Sequence, residues 1–206
     1  MKIKSLSYIL IESTNLESWE AYARDVVGLM KNNDLSNENN LFFRMDESPF
    51  RFQVQKGDSD RYARGGFELE NKEAFEEAKK ELSNLGIEVA IESEELAQVR
   101  CVEELLSFDD PAGNTLELFY GRGIDTNEFK SSQDISKFVT HGLGLGHLVF
   151  GTLEVEAAHD FYKEVMNFGD SDIMRMRFSP NPDDPESVLY FMHCDNPRHH
   201  TVAMMQ

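Results

Sequence analysis

Gly142-Leu143-Gly144-Leu145-Gly146-His147-Leu148-Val149-Phe150-Gly151-Thr152-Leu153 places a single histidine at the head of a short apolar strand, directly before a helical pattern. The helix that follows carries Ala158, Phe161, Tyr162, Val165 and Met166 on one face. Beyond it, strands are predicted over 173–178, 188–193 and 200–205. The order is strand, helix, then three strands.

Working back towards the N-terminus, the same order recurs. The stretch Phe161-Tyr162-Lys163-Glu164-Val165-Met166-Asn167-Phe168 echoes Tyr22-Ala23-Arg24-Asp25-Val26-Val27-Gly28-Leu29. Residues 5–11 alternate as a strand, and residues 15–30 put Trp19, Tyr22, Ala23, Val26 and Val27 at helical spacing, with Thr14 or Asn15 as cap. Short strands follow at 41–43 and 50–54. A second unit starts with Gly66-Phe67-Glu68-Leu69 and a helix carrying Phe75, Ala78, Leu82 and Leu85, stopped by Gly86. Its strands are expected at 89–91, weakly at 99–102, and at 115–120 after the turn Asp109-Asp110-Pro111-Ala112-Gly113-Asn114. The chain therefore reads as an α+β protein of three βαβββ modules. Residues 1–121 form a two-module domain, 122–141 a connector with little periodicity, and 142–206 a single module with no second one after it.

Composition narrows the function classes. With 206 residues, 40% hydrophobic and 11% aromatic, the chain is long and apolar enough for a buried core. A net charge of −18, with 20 basic residues among 38 acidic ones, argues against nucleic acid as a partner. No apolar run approaches the length of a membrane span. The acidic runs 73–77 and 92–95 read as solvated faces. Cys101 and Cys194 lack metal or redox spacing and read as reduced thiols of a cytoplasmic protein.

Four stretches taken in order carry a resemblance. They are Asp110-Pro111-Ala112-Gly113 leading to Leu116-Glu117-Leu118-Phe119-Tyr120-Gly121; Gly144-Leu145-Gly146-His147; Ala158-His159-Asp160-Phe161-Tyr162; and Tyr190-Phe191-Met192-His193-Cys194-Asp195-Asn196-Pro197-Arg198-His199-His200-Thr201. The set resembles the type I extradiol ring-cleavage dioxygenases of the vicinal oxygen chelate superfamily, closest to those acting on 2,3-dihydroxybiphenyl. The resemblance implies two domains, each a pair of modules, of which only the C-terminal pair binds catalytic Fe(II). The iron is held by two histidines and one carboxylate, leaving positions open for a catecholate and O2. His147 matches the first metal ligand, and the other histidine and the glutamate belong to a fourth module that these residues lack. His200 matches the acid–base histidine near the diol. Val149, Met174, Met176 and Phe191 match positions lining the aromatic pocket. The implied partners are a small aromatic diol and O2, with no organic cofactor, and relatives of this type commonly form homo-oligomers.

Each assignment has a plainer counterpart. One histidine on an apolar strand is more often a satisfied core residue than a ligand, and alternating apolar residues usually face inward for packing alone. His141, His159 and His193 are read as structural. Tyr8 stands in module 1 where His147 stands in module 3. Glu117 follows the Asp-Pro-x-Gly turn that precedes the family's ligand glutamate, but has no histidine partner, so it reads as a remnant or a structural carboxylate. Ala203 is the corresponding position of module 3. The expectation is a truncated extradiol dioxygenase, inactive alone. The alternatives are a binding or scaffold protein of the same fold, and a superfamily metalloenzyme whose site is shared between chains.

Overall fold

Residues 1–181, 183 and 186–206 are described by a computed structural model. The first module runs β1 (Ile3–Ser13), α1 (Leu16–Tyr22), β2 (Met30–Lys31), β3 (Asn40–Arg44) and β4 (Phe52–Lys56). The second runs β5 (Arg61–Leu69), α2 (Lys72–Asn84), β6 (Ala90–Ile91), α3 (Glu94–Arg100), β7 (Glu104–Asp109) and β8 (Thr115–Tyr120). After 121–147, which hold no regular element, come β9 (Leu148–Gly151), α4 (Val155–Glu164), β10 (Gly169–Met176), β11 (Ser187–His193) and β12 (Val202–Met205).

Every module pairs its first strand with its fourth in parallel: β1 with β4, β5 with β8, β9 with β12. The crossover through a helix and two antiparallel strands supplies the length that a parallel pair requires. Modules 1 and 2 join along β1 and β5, antiparallel, into one eight-stranded sheet of order β2-β3-β4-β1-β5-β8-β7-β6. Module 3 forms its own four-stranded sheet, β10-β11-β12-β9.

A register shift between Leu6 and Tyr8 decides which residues of β1 face which side. Without it, alternation would send both to one face. Leu6 instead joins Phe67, Leu118, Phe75 and Leu82 in a cluster that continues into Tyr162, Phe168, Met192 and Met204 of module 3. Tyr8 and Leu10 join Phe42, Phe50 and Phe119 on the other side. The third module is thus bonded to the outer face of the large sheet through shared apolar burial. Polar links fix the joint: the Leu145 N–H donates to the Leu6 carbonyl at 2.9 Å and the Asp195 N–H to the Ile3 carbonyl at 3.0 Å.

One further link is a side-chain bond between modules 2 and 3. Asp110 accepts from the Ala112 and Asn114 backbone N–H groups, ordering its turn, and its Oδ2 accepts from the Tyr162 hydroxyl at 3.2 Å. Burial, then the charge of Asp110, hold the Tyr162 phenol well above its ordinary pKa, so it donates at all working pH values. Tyr162→Phe should lower stability by about 0.5–1.5 kcal/mol, the net worth of one buried hydrogen bond. A urea midpoint shifted at constant m-value checks it.

Local readings needed several corrections. The weak strand expected near 99–102 is the end of α3, because Ser93 caps Leu96 N–H, Glu94 and Glu95 sit in the first turn, and Cys101 takes a left-handed conformation that ends the helix. The helix expected over 15–30 stops at Tyr22 and continues as a π-turn over Ala23–Val27, closed by Gly28 at φ 83°. Tyr22 and Val26 consequently stand exposed. The strand expected from His147 starts one residue later, β10 lies earlier than 173–178, and β12 starts at Val202 instead of His200. Glu92, read as solvated, accepts from Ser107 Oγ at 2.5 Å and pairs with Arg64 at 3.3 Å.

Candidate functional site

The four-stranded sheet has one face in the core and one face open. Val188, Tyr190, Met192 and Cys194 are buried, so the alternate residues Leu189, Phe191 and His193 of β11 take the open side. Register then assembles a row: Val149 opposes Ala203 across β9 and β12, and Ala203 opposes Phe191 across β12 and β11. His147, two residues before Val149, belongs to the same face. His200 reaches it from the loop before β12.

The imidazoles of His147 and His200 lie 4.3 Å apart, centroid to centroid, tilted by 49°. The edge of His200 meets the Phe191 ring at 5.1 Å, and its Nδ1 lies 3.1 Å from Nδ1 of His199. Partial burial, then the charges of His147, His199 and Arg198, lower the pKa of His200 below its ordinary value. The shift favours the neutral imidazole, the form that can accept a proton. His147, His200, Phe191 and Val149 are brought together. Met174 opposes Leu189 one row further along, and Met176 opposes Ser187 beyond that. Val149 is 57% exposed and Met174 44%, so these residues line an open face and not an enclosed cavity. A wide surface cleft, of about 910 Å³, lies elsewhere, between the connector and Arg44, Asp46 and Glu47.

The donor set at this face does not complete an iron site. Fe(II) in a facial triad requires two imidazoles and a carboxylate at fixed geometry. Among the described residues no group of three histidine, cysteine or acidic side chains is placed to hold a metal ion. Ala203, the counterpart of Glu117 in module 3, is a buried methyl and supplies no carboxylate from this module.

The other histidines have separate tasks. His159 is buried on α4, with Nε2 2.6 Å from Asp170 Oδ1 and its ring stacked 4.0 Å from Tyr190. His193 Nδ1 lies 2.6 Å from Ser171 Oγ. His141 is exposed at φ 50°.

The large sheet shows how a complete pair of modules uses the same positions. Leu10 opposes Gln53, Gly66 opposes Glu117 and Val149 opposes Ala203. Hence Tyr8, Arg64 and His147 are equivalent, as are Gln53, Glu117 and Ala203. In the large sheet these positions converge on the guanidinium of Arg100, delivered by the last turn of α3. Its Nε and Nη2 donate to both oxygens of the fully buried Glu117 at 2.9 and 3.1 Å, and its Nη1 to Gln53 Oε1 at 2.9 Å. Tyr8 donates to Glu117 Oε2 at 2.6 Å, and Arg64 to Oε1 at 3.2 Å. Burial alone would weaken the charge on Arg100, but the Glu117 carboxylate outweighs it and raises the pKa of the guanidinium. Burial and then Glu117 likewise keep the Tyr8 phenol protonated. Glu117 is thus a structural carboxylate in this half. Arg100 and Gln53 were missed from sequence, since residues 99–102 read as a strand cannot place Arg100 at a helix end.

Comparison with known proteins finds relatives along the whole chain. A family model described as Dihydroxybiphenyl dioxygenase BphC D1 matches residues 6–57. An iron-dependent extradiol dioxygenase of Rhodococcus jostii (strain RHA1) is 36% identical over 208 residues, covering 100% of this chain and 68% of its own length. A biphenyl-2,3-diol 1,2-dioxygenase of Metapseudomonas furukawaii is 33% identical over 205 residues, covering 99% of this chain and 66% of the relative. The crystal structure of BphC, a halotolerant catechol dioxygenase, superposes with a TM-score of 0.88 at 30% identity, over 99% of this chain and 65% of that one. The chain thus spans about two thirds of the length of these relatives. By descent and by its repeated βαβββ modules, it belongs to the extradiol dioxygenases of the vicinal oxygen chelate superfamily.

Proposed function

We propose that this chain serves Fe(II)-dependent extradiol cleavage of a catecholic diol by O2 in the breakdown of aromatic compounds. His147 is one metal ligand, and the remaining histidine and carboxylate are not among its described residues. Bound iron would bring diol and O2 together at neighbouring positions. The observation that carries the reading is the His147–His200 pair, 4.3 Å apart beside Phe191 on an open apolar face. His200, favoured in its neutral form and within reach of anything held at His147, takes the proton from a diol hydroxyl. Phe191 and Val149 flank the aromatic ring, with Met174 and Met176 further along the same face. A reducing, cytoplasmic setting fits the free thiols Cys101 and Cys194.

The 206-residue chain alone should give no yellow ring-fission product after anaerobic loading with Fe(II), addition of a catechol and admission of air. Fusing the unmatched part of the Rhodococcus relative behind Gln206 should restore it. In that chimera His147→Ala should abolish iron retention and turnover. His200→Asn should lower kcat by about 10²–10⁴-fold, the usual share of a general acid–base group, while catechol still binds. A folded, iron-loaded chimera in which either substitution leaves turnover unchanged would refute the assignment.

A further inference from the structure

We infer that His199 sets the working tautomer of His200: its Nδ1 accepts the Nδ1–H of His200, which leaves Nε2 of His200 bare to take the diol proton. The inference rests on the role proposed above for His200 and adds a positioning residue behind it.

The two imidazoles meet nitrogen to nitrogen. Nδ1 of His199 lies 3.1 Å from Nδ1 of His200, with the ring planes at 88°. A hydrogen bond between two neutral imidazoles needs one of these nitrogens protonated and the other bare. Solvent decides which. His199 is exposed, and among the described residues no other group hydrogen-bonds to it. It therefore keeps the tautomer that imidazole side chains prefer in water, with the proton on Nε2 and Nδ1 bare. His200 must then carry its proton on Nδ1, the less common form. With Nδ1 taken, Nε2 is the nitrogen left for a group held at His147, whose ring centre is 4.3 Å from that of His200. The opposite assignment, with His199 donating, would put the His200 proton on Nε2 and leave no nitrogen to accept from the diol.

A tautomer set by one contact is of use only if the contact keeps its geometry. The loop carrying both histidines is tied down on either side. Before them, Asn196 Nδ2 donates to the Lys4 carbonyl at 2.8 Å, so β1 of the large sheet holds the start of the loop. Asn196 Oδ1 accepts from the Arg198 N–H at 2.9 Å, and Arg198 Nε donates to the Leu143 carbonyl at 3.2 Å. After them, Thr201 is fully buried and its N–H donates to the Met192 carbonyl at 2.7 Å. Phe191 stands against both imidazoles, 5.1 Å from His200 and 6.1 Å from His199. The backbone fixes where the two rings start, and one aromatic side chain limits how far they swing.

Ring nitrogen-15 spectra of the metal-free 206-residue chain at a pH of about 8, above the ordinary imidazole range, read the tautomer directly. His200→Asn identifies the His200 signals by their loss. His200 should show a protonated Nδ1 and a bare Nε2. His199→Ala should return it to the common tautomer, and so should His199→Lys, which offers donors only; His199→Asn, whose side-chain oxygen accepts, should retain the Nδ1–H form. His199 is exposed, so these substitutions leave the fold intact. In the iron-loaded chimera His199→Ala should lower kcat by about 10–100-fold, the usual cost of losing the partner that orients a working imidazole. Iron content and KM for catechol should stay unchanged, and His199→Asn should recover most of the rate. A wild-type His200 with its proton on Nε2, a tautomer indifferent to His199, or an unchanged kcat in His199→Ala would overturn the inference. A folded, iron-loaded wild-type chimera without turnover would overturn the proposed function instead, and the spectra would still decide whether His199 holds the Nδ1 proton.

Discussion

Glu117→Leu is expected to destabilise the chain by about 3–5 kcal/mol, because it strands the buried Arg100 guanidinium with Gln53 alone. Arg64, partly exposed, retains Glu92 and does not share the loss. The size of the effect comes from the orphaned charge and not from the worth of the pair. The double replacement Glu117→Leu with Arg100→Met should accordingly recover much of the deficit, since an apolar substitute for both partners removes the buried charges and leaves only the Tyr8 hydroxyl and the Gln53 Oε1 without their present partners. Urea unfolding of the two single variants and the double gives the coupling energy directly. If Glu117→Leu were as stable as wild type, the network would not be what organises this interior.

Gly144→Ala should have a comparable effect for a different reason. Gly144 lies at φ 77°, and a Cβ there would collide with the backbone carbonyl of Leu6 and crowd the Ser5 side chain. A side chain could swing aside, but the Leu6 carbonyl cannot, since it accepts the Leu145 N–H that anchors the third module. The left-handed conformation adds about 1–2 kcal/mol for any residue with a Cβ, and overpacking about 1–3 kcal/mol more. Together these predict a loss of roughly 2–5 kcal/mol. The change should be visible as earlier protease cleavage between residues 121 and 147. Gly142→Ala, at φ 71° but with open space around the new methyl, separates the two terms: it should show only the conformational part.

The repeat made most of the fold legible in the sequence. Alternation in 5–11, helical spacing in 72–84 and 155–164, and the Asp110–Asn114 turn each mark an element that local residues specify. What stayed hidden was set by neighbours. The bulge at Leu6–Tyr8 leaves no trace in composition, yet it sends Tyr8 into the interior. α3 is short, and its apolar residues resemble a strand until the Ser93 cap is seen to hold Leu96. At the candidate site His147 and His200 stood out in sequence, and the structure sets them side by side. Met174 and Met176 were named with them but occupy successive rows further from the pair, a distance that strand register sets and residue type does not show.

The arginine at the centre of the first sheet also bears on what this half needs from its surroundings. A bound divalent ion can be stripped by a chelator, displaced by a competing ion or changed in oxidation state, and a fold that leans on it inherits those weaknesses. Arg100 is attached to the backbone, keeps its charge throughout the physiological range and has no redox chemistry. Nothing dissolved in the medium can remove it. The two-module half should therefore keep its shape through metal starvation and oxidative stress, holding the third module in place whether or not iron is available.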